Sequence, residues 1–310
     1  MHSHNLNQWQ HSHNFAVANQ KGERRTLYVL VLTAITMLVE IIAGSIYGSM
    51  ALLADGWHMG THVAAFLIAM LAYRYATKYA GSNRYTFGTG KVNVLGGFAS
   101  AVGLAIVALV MLVESLQRVI EPQAIHFNEA IVVASVGLVV NIVSAFLLKD
   151  AHHHGHDDHG HDHHHHHDHN LKAAYMHVLA DALTSVLAIA ALVCGKYFGW
   201  NWLDPVMGVV GGIIITHWAI GLIKQTAPVL LDASINEQEQ QKIREVIEAD
   251  ADNKVSDLHI WHVSANHYAA IIALVTHQAR SAEHYKGLLK DFDKLSHITV
   301  EVNLCETDHA

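Results

Sequence analysis

Six long apolar stretches occupy most of the chain, at Leu27–Ile46, Met50–Ala72, Val92–Leu116, Asn128–Leu148, Ala173–Gly195 and Pro205–Ile223. Each is close to the ~20 residues that a helix needs to cross the hydrocarbon of a bilayer. The pattern therefore predicts six transmembrane helices. After the sixth stretch the pattern becomes that of a small soluble domain. Ser234-Ile-Asn-Glu237 reads as a capping box opening a helix to about Ala249. Val255–Ser264 and Tyr268–Thr276 read as strands, Ala282–Lys294 as a helix and Ile298–Leu304 as a third strand. The order αββαβ suits an open-faced α+β sandwich, large enough at ~80 residues for one modest core.

Charge orients the spans. Lys21, Arg24, Arg25, Arg74, Lys78, Arg84, Lys91, Lys149, Lys172 and Lys224 flank them on one side, and only Arg118 and Lys196 on the other. By the positive-inside rule both termini are expected in the cytoplasm. The expected organisation is a histidine-containing N-terminal segment at 1–25, a transmembrane domain at 26–225 and a cytoplasmic domain at 226–310. The opening MHSHNLNQWQHSHNF lacks the basic-then-apolar pattern of a cleaved signal peptide, so the first span is expected to stay in the mature protein.

Composition agrees with a membrane protein: 52% of residues are hydrophobic and 15% charged, with a mean hydropathy of +0.23. A formal charge of −8 excludes nucleic acid as an expected partner, and two cysteines, Cys194 and Cys305, offer no disulfide framework. The unusual number is 28 histidines. Twelve of them, with four Asp and two Gly, form the whole of His152–His169. With no apolar residue to bury, this tract (about 150–170) reads as a disordered cytoplasmic loop suited to loose, multi-site capture of transition metals.

The spans also carry Glu40, Asp55, His58, His62, Glu114, Asn141, His177, Asp181 and His217, each of which needs a partner, water or an ion in lipid. Asp55, His58 and His62 are spaced to share one face of the second span. His177 and Asp181 repeat the one-turn spacing in the fifth. Two helices that each offer an i, i+4 pair can close four ligands around a cation, the number a tetrahedral site requires. His58, His62, His177 and Asp181 are thus the candidate ion site, with Asp55 and Asn141 as accessory residues. Glu40 and Glu114 could pair with other helices, His217 could be a packed or interfacial histidine, and the glycines of the third and sixth spans read as helix packing.

The run SMALLADGWHMGTHVAAF, the later HVLADALTSVLA, the loop RYTFGTGK, the tail's VSDLHIWHV and the His-rich insertion together resemble the cation diffusion facilitator transporters over essentially the whole chain. The resemblance implies an all-α membrane domain of six transmembrane helices plus a small α+β ferredoxin-like cytoplasmic domain. It implies a homodimer in the inner membrane that exchanges divalent metal for protons, with the transport site on His58, His62, His177 and Asp181. It also pairs Lys91 with Asp232 as a charge lock at the dimer interface. Zinc-carrying relatives usually have Asp at the position of His62, and some have a loop metal site where this chain has Ser82, Tyr85 and Thr89. That loop site is expected to be absent. The N-terminal His2, His4, Trp9, His11 and His13, together with His62, most resemble the cobalt/nickel efflux branch, so Co²⁺ or Ni²⁺ is the expected cargo and Zn²⁺ the alternative. In the soluble domain His259, His262, His277 and Cys305 are candidate ligands for regulatory metal. On an alternating strand His259 and His262 should face opposite sides of the sheet.

A metal-sensing or buffering membrane protein is the competing class, and would bind metal without moving it. A metalloenzyme is disfavoured by the lack of an H-E-x-x-H motif or an evident nucleophile.

Overall fold

The computed structural model of the chain describes residues 23–80, 82, 84–150 and 167–305; at 23–29, 62, 144–150 and 167–181 it describes the backbone alone. Six long helices come first: α1 (Glu23–Tyr47), α2 (Met50–Tyr79), α3 (Val92–Ile120), α4 (Phe127–Asp150), α5 (His167–Phe198) and α6 (Leu203–Leu230). Each contains its predicted apolar stretch and runs beyond at least one end of it, because backbone hydrogen bonding need not stop where apolar sequence does. Thus α5 includes His167–His169 of the His-rich tract, and α6 passes the expected domain boundary at 226. The rest of the tract and the N-terminal histidines lie outside the described residues.

Among the described residues, three helices are long and apolar enough to cross a membrane by length and composition: Leu30–Tyr47 within α1, then α3 and α6. Among the described residues Phe127–Val143 of α4 and Ala182–Phe198 of α5 are also apolar, over shorter lengths. α2 is less apolar because its first turns carry Asp55, Gly56, His58, Gly60 and His62. The outward side chains Val31, Ile35, Leu38, Ile42 and Ile46 of α1 are exposed, a band that suits lipid rather than water.

The chain divides into two compact units, one made of Ala18–Ile68 and Ala99–Leu222, the other containing Ala69–Phe98 and the chain from Ile223 onward. The first is packed largely through small residues. Ala43, Leu52, Ala130, Ala134 and Leu192 form one cluster, and Ala54, Ala108, Met111 and Ile215 another. A Cβ on Gly211 would lie 2.9 Å from Ala54 Cβ, and one on Gly208 would lie 3.0 Å from Met50 Cβ. α6 and α2 therefore approach at a distance that larger residues would forbid.

In the second unit the order is α7 (Glu237–Glu248), β1 (Lys254–His262), β2 (Tyr268–Thr276), α8 (Ala282–Leu288) and β3 (Leu295–Leu304), the predicted αββαβ. β1 pairs antiparallel with β2, and β2 parallel with β3. Ile243 and Ile247 of α7 and Tyr285 and Leu289 beside them pack on Val255, Ile260, Ala270, Ile272 and Leu274, so both helices cover one face of the sheet. Two local expectations are corrected. The cap of α7 is Asn236, whose side chain accepts the Glu239 amide, rather than Ser234; asparagine caps at least as well, and it sits where the helix actually turns. α8 ends at Leu288, not Lys294, because the chain tightens into successive i→i+3 turns that bring Phe292 onto the core.

Candidate cation site

α2 presents Asp55 and His58 into the helical unit, where they are 3% and 5% exposed. They line a cavity of about 40 Å³ with Ala51 and Ala54 of α2, Thr184 and Ala188 of α5, and Met207 and Gly211 of α6. The His58 ring leans on Trp218 of α6, centroids 5.0 Å apart, and its own carbonyl accepts the Thr61 hydroxyl at 2.7 Å. Asp55 is held from a different helix: the Ser185 hydroxyl of α5 donates to its Oδ2 at 2.7 Å, and Asn141 Nδ2 of α4 donates to Ser185 Oγ at 3.4 Å. Asp55 and Asn141, taken from sequence as accessory residues, are thus joined through a serine that sequence reasoning did not single out. Its signal was available, since Ser185 stands one helical turn after Asp181.

His62, His177 and Asp181 have helical backbones in α2 and α5, and their side chains lie outside the described residues. Among the described residues no three His, Cys, Asp or Glu side chains form a group that could hold a metal ion. What is described is a buried imidazole and a serine-oriented carboxylate that line one small cavity.

Other polar groups of the spans have other surroundings. Glu40 of α1 is fully buried, its carboxylate fitted against Gly137 of α4, where a Cβ would collide with it, and its Cβ faces Gly56 of α2. Glu114 pairs with Arg118 at 2.7 Å, and His217 is exposed on α6.

In the sheet unit the four regulatory candidates do not gather into one group. His259 Nε2 meets Asp257 Oδ2 at 2.8 Å. His262 shares the alternate set of Leu258 and Ile260, packing on Tyr268 with centroids 4.3 Å apart, and burial lowers its pKa below the ordinary imidazole value. His277 Nδ1 meets Asp252 Oδ2 at 2.6 Å. The Asp252 carboxylate is lowered to about 2, first by the His277 amide, then by the Thr276 hydroxyl and the His277 ring. Cys305 follows β3, its amide donating to Thr276 carbonyl at 2.9 Å, which brings it to the same sheet end as His277.

The loop between α2 and α3 docks on the face of the sheet that the helices leave open. Phe87 packs edge-on against Trp261 and His297, centroids 5.9 and 5.5 Å away. These two residues flank Ala269 in register, and Ala269 is fully buried. Gly88 turns the loop at φ +71°, and Gly90 comes so close that a Cβ would lie 2.8 Å from Val263 carbonyl oxygen. The Lys91 ammonium forms an ion pair with Asp232, a non-glycine residue at φ 56° just past the end of α6. Ser82, Tyr85 and Thr89 are engaged structurally: Ser82 accepts the Arg84 amide, Tyr85 bonds Tyr75, and Thr89 donates to Ala76 carbonyl.

The family described as cation efflux transmembrane domain matches residues 26–231. The chain is 31% identical to the zinc transporter ZitB of Escherichia coli (strain K12) over 94% of its own length and 91% of that protein. It is 25% identical to a cadmium, cobalt and zinc/H(+)-K(+) antiporter of Bacillus velezensis, covering 96% of this chain and 93% of that one. Identity to the cation efflux system protein CzcD of Alcaligenes sp. is 27%, over 97% of this chain and 92% of that protein.

Proposed function

Since the chain belongs to the cation diffusion facilitator (cation efflux) family, we propose that it exports divalent transition-metal cations from the cytoplasm across the inner membrane in exchange for protons. It is a transporter rather than an enzyme. The observation that carries the proposal is the pairing of buried His58 with a serine-held Asp55 around a cavity of about 40 Å³. In our reading His58, His62, His177 and Asp181 bind the cargo, Asp55 and Asn141 support them, and the termini are cytoplasmic. The chain acts as a homodimer locked near Lys91 and Asp232, and His259, His262, His277 and Cys305 serve regulatory metal.

Neutral imidazole and ionised carboxylate bind metal, and their protonated forms release it, so cargo and protons compete for one site. Export of M²⁺ against an inside-negative potential costs roughly 4.6 kcal/mol per 100 mV, and each proton entering offsets half of that. Two protons make the exchange neutral, one leaves it electrogenic.

Two cargo readings follow. Three imidazoles and one carboxylate favour Co²⁺ or Ni²⁺. The relatives named as zinc transporters or as cadmium, cobalt and zinc antiporters favour Zn²⁺ at least as well. Proteoliposomes with an imposed pH gradient, given Co²⁺, Ni²⁺, Zn²⁺ and Mn²⁺ side by side, separate them. Accumulation that collapses with the gradient supports export, whereas binding without accumulation supports a sensor or buffer.

A further inference from the structure

Asp204 stands in the first turn of α6, is 2% exposed, and takes no part in the cation site. Its Oδ1 accepts the Ser49 hydroxyl at 2.6 Å and the Ala51 amide at 3.1 Å, and its Oδ2 accepts the Met50 amide at 2.7 Å. Ser49 Oγ in turn accepts the Leu52 amide at 3.1 Å. A side chain of α6 thus caps the start of α2. The first amides of a helix have no partner within it and carry partial positive charge, so a carboxylate set across them is strongly held. From the other side of the same turn, Arg118 of α3 donates to Gly48 carbonyl at 2.7 Å. Both α3 and α6 therefore grip the α1–α2 turn.

The position of this grip gives it a role. The cavity beside Asp55 and His58 is bounded at one end by Ala51 and Met207. Ala51 is one of the residues whose amide Asp204 holds, and Met207 is three residues after Asp204. On the far side, the turn residue Gly48 lines a second, polar cavity of about 660 Å³ with Glu114, Arg118 and Glu121. The residues that Asp204 holds, Ser49 to Ala51, thus join the turn residue that lines the large cavity to the residue that closes the end of the small one. Tyr197, Phe198, Trp200 and Trp202, exposed just before α6, mark this level as a membrane interface, where water can take over the bonds that Asp204 gives up.

We propose that Asp204 is the latch of the non-cytoplasmic gate: its carboxylate holds α6 on the first turn of α2 while the cation site faces the cytoplasm, and its release opens the site outward. The latch rests on the transport function and orientation proposed above.

The test uses the full chain in proteoliposomes with Cys194→Ser, Cys305→Ser and a reporter, Ala188→Cys, in the small cavity. A membrane-impermeant maleimide is applied from either face. Asp204→Asn weakens the clasp and should raise labelling from the non-cytoplasmic face on the order of 10-fold while lowering it from the cytoplasmic face, because it shifts the population toward the outward-open form. Ser49→Ala, which keeps both amide bonds, should give a smaller shift of the same sign, about 3-fold, and carries the test if Asp204→Asn does not fold. Unchanged sidedness in folded variants overturns the latch. So does labelling that rises equally from both faces, the mark of loosened packing, or a shift of opposite sign. Metal uptake by the unsubstituted chain is measured in parallel: its absence overturns the transport reading, and the labelling still decides the latch.

Discussion

The Ser185 hydroxyl donates to Asp55 Oδ2 at 2.7 Å, so a residue of α5 sets the direction in which a carboxylate of α2 points. Groups that orient a ligand typically change metal affinity or activity 10–100-fold when removed, since the ligand must then be ordered at the expense of binding. Ser185→Ala should raise the half-saturating metal concentration about 10-fold with little loss of maximal rate, and Ser185→Thr should restore it. Concentration series of uptake in vesicles check this. Equal KM in wild type and Ser185→Ala would leave Asp55 without a part in binding.

His62→Asp should raise the ratio of Zn²⁺ to Co²⁺ transport. Divalent metals tend to follow one affinity order whatever the site, so ligand type and geometry have to tip the balance. If His62 binds the cargo as proposed, the change also replaces a neutral ligand of ordinary pKa about 6.5 with an anionic one near 3.9, so fewer protons compete at neutral pH. Paired Zn²⁺ and Co²⁺ uptake across a pH series should therefore show a higher ratio together with a flatter pH dependence. Asp181→Ala is the inactive control.

Phe87→Ala removes the ring that packs on Trp261 and His297, the residues that flank buried Ala269 in register. Large-to-small changes of a packed aromatic cost about 3–5 kcal/mol when fully buried; Phe87 is only half-buried, so about 1–2 kcal/mol is expected here. The loss should fall on the docking of the 84–91 loop rather than on the sheet core, which lies on the opposite face. Hydrogen exchange should quicken in the loop and at Ala269, with β2 core amides such as Ile272 unchanged. Uniform loss of protection throughout the sheet would contradict the docking.

Asp252 gives the sheet unit an acid limit. Its carboxyl is depressed from 3.8 to about 2 by the His277 amide, the Thr276 hydroxyl and the His277 ring. A depressed carboxylate contributes stability that is complete above its ordinary pKa and is lost as pH falls through its folded value. The stabilisation should therefore disappear between about pH 4 and about pH 2, and Asp252→Asn should flatten that part of the profile. Denaturant unfolding of the detergent-solubilised chain, followed by exchange of the β2 amides across this range, measures the slope.

Long apolar stretches and the i, i+4 spacing of His58 with His62 and of His177 with Asp181 were legible along the chain, because helix periodicity and membrane thickness act locally. The αββαβ order was legible for the same reason, strand alternation and turn residues being short-range signals. The sequence also contained Lys91 and Asp232, but their pairing was reached through resemblance, since no local rule joins residues that stand on α2–α3 and α6 boundaries. Tertiary structure alone made Ser185 the orienting partner of Asp55, put Asp204 across the first amides of α2, and seated Phe87 on the open face of the sheet. Each of these joins groups far apart in sequence through a hydrogen bond or a ring contact only a few ångströms long, and such a contact is decided by how whole helices and strands pack, which periodicity does not encode.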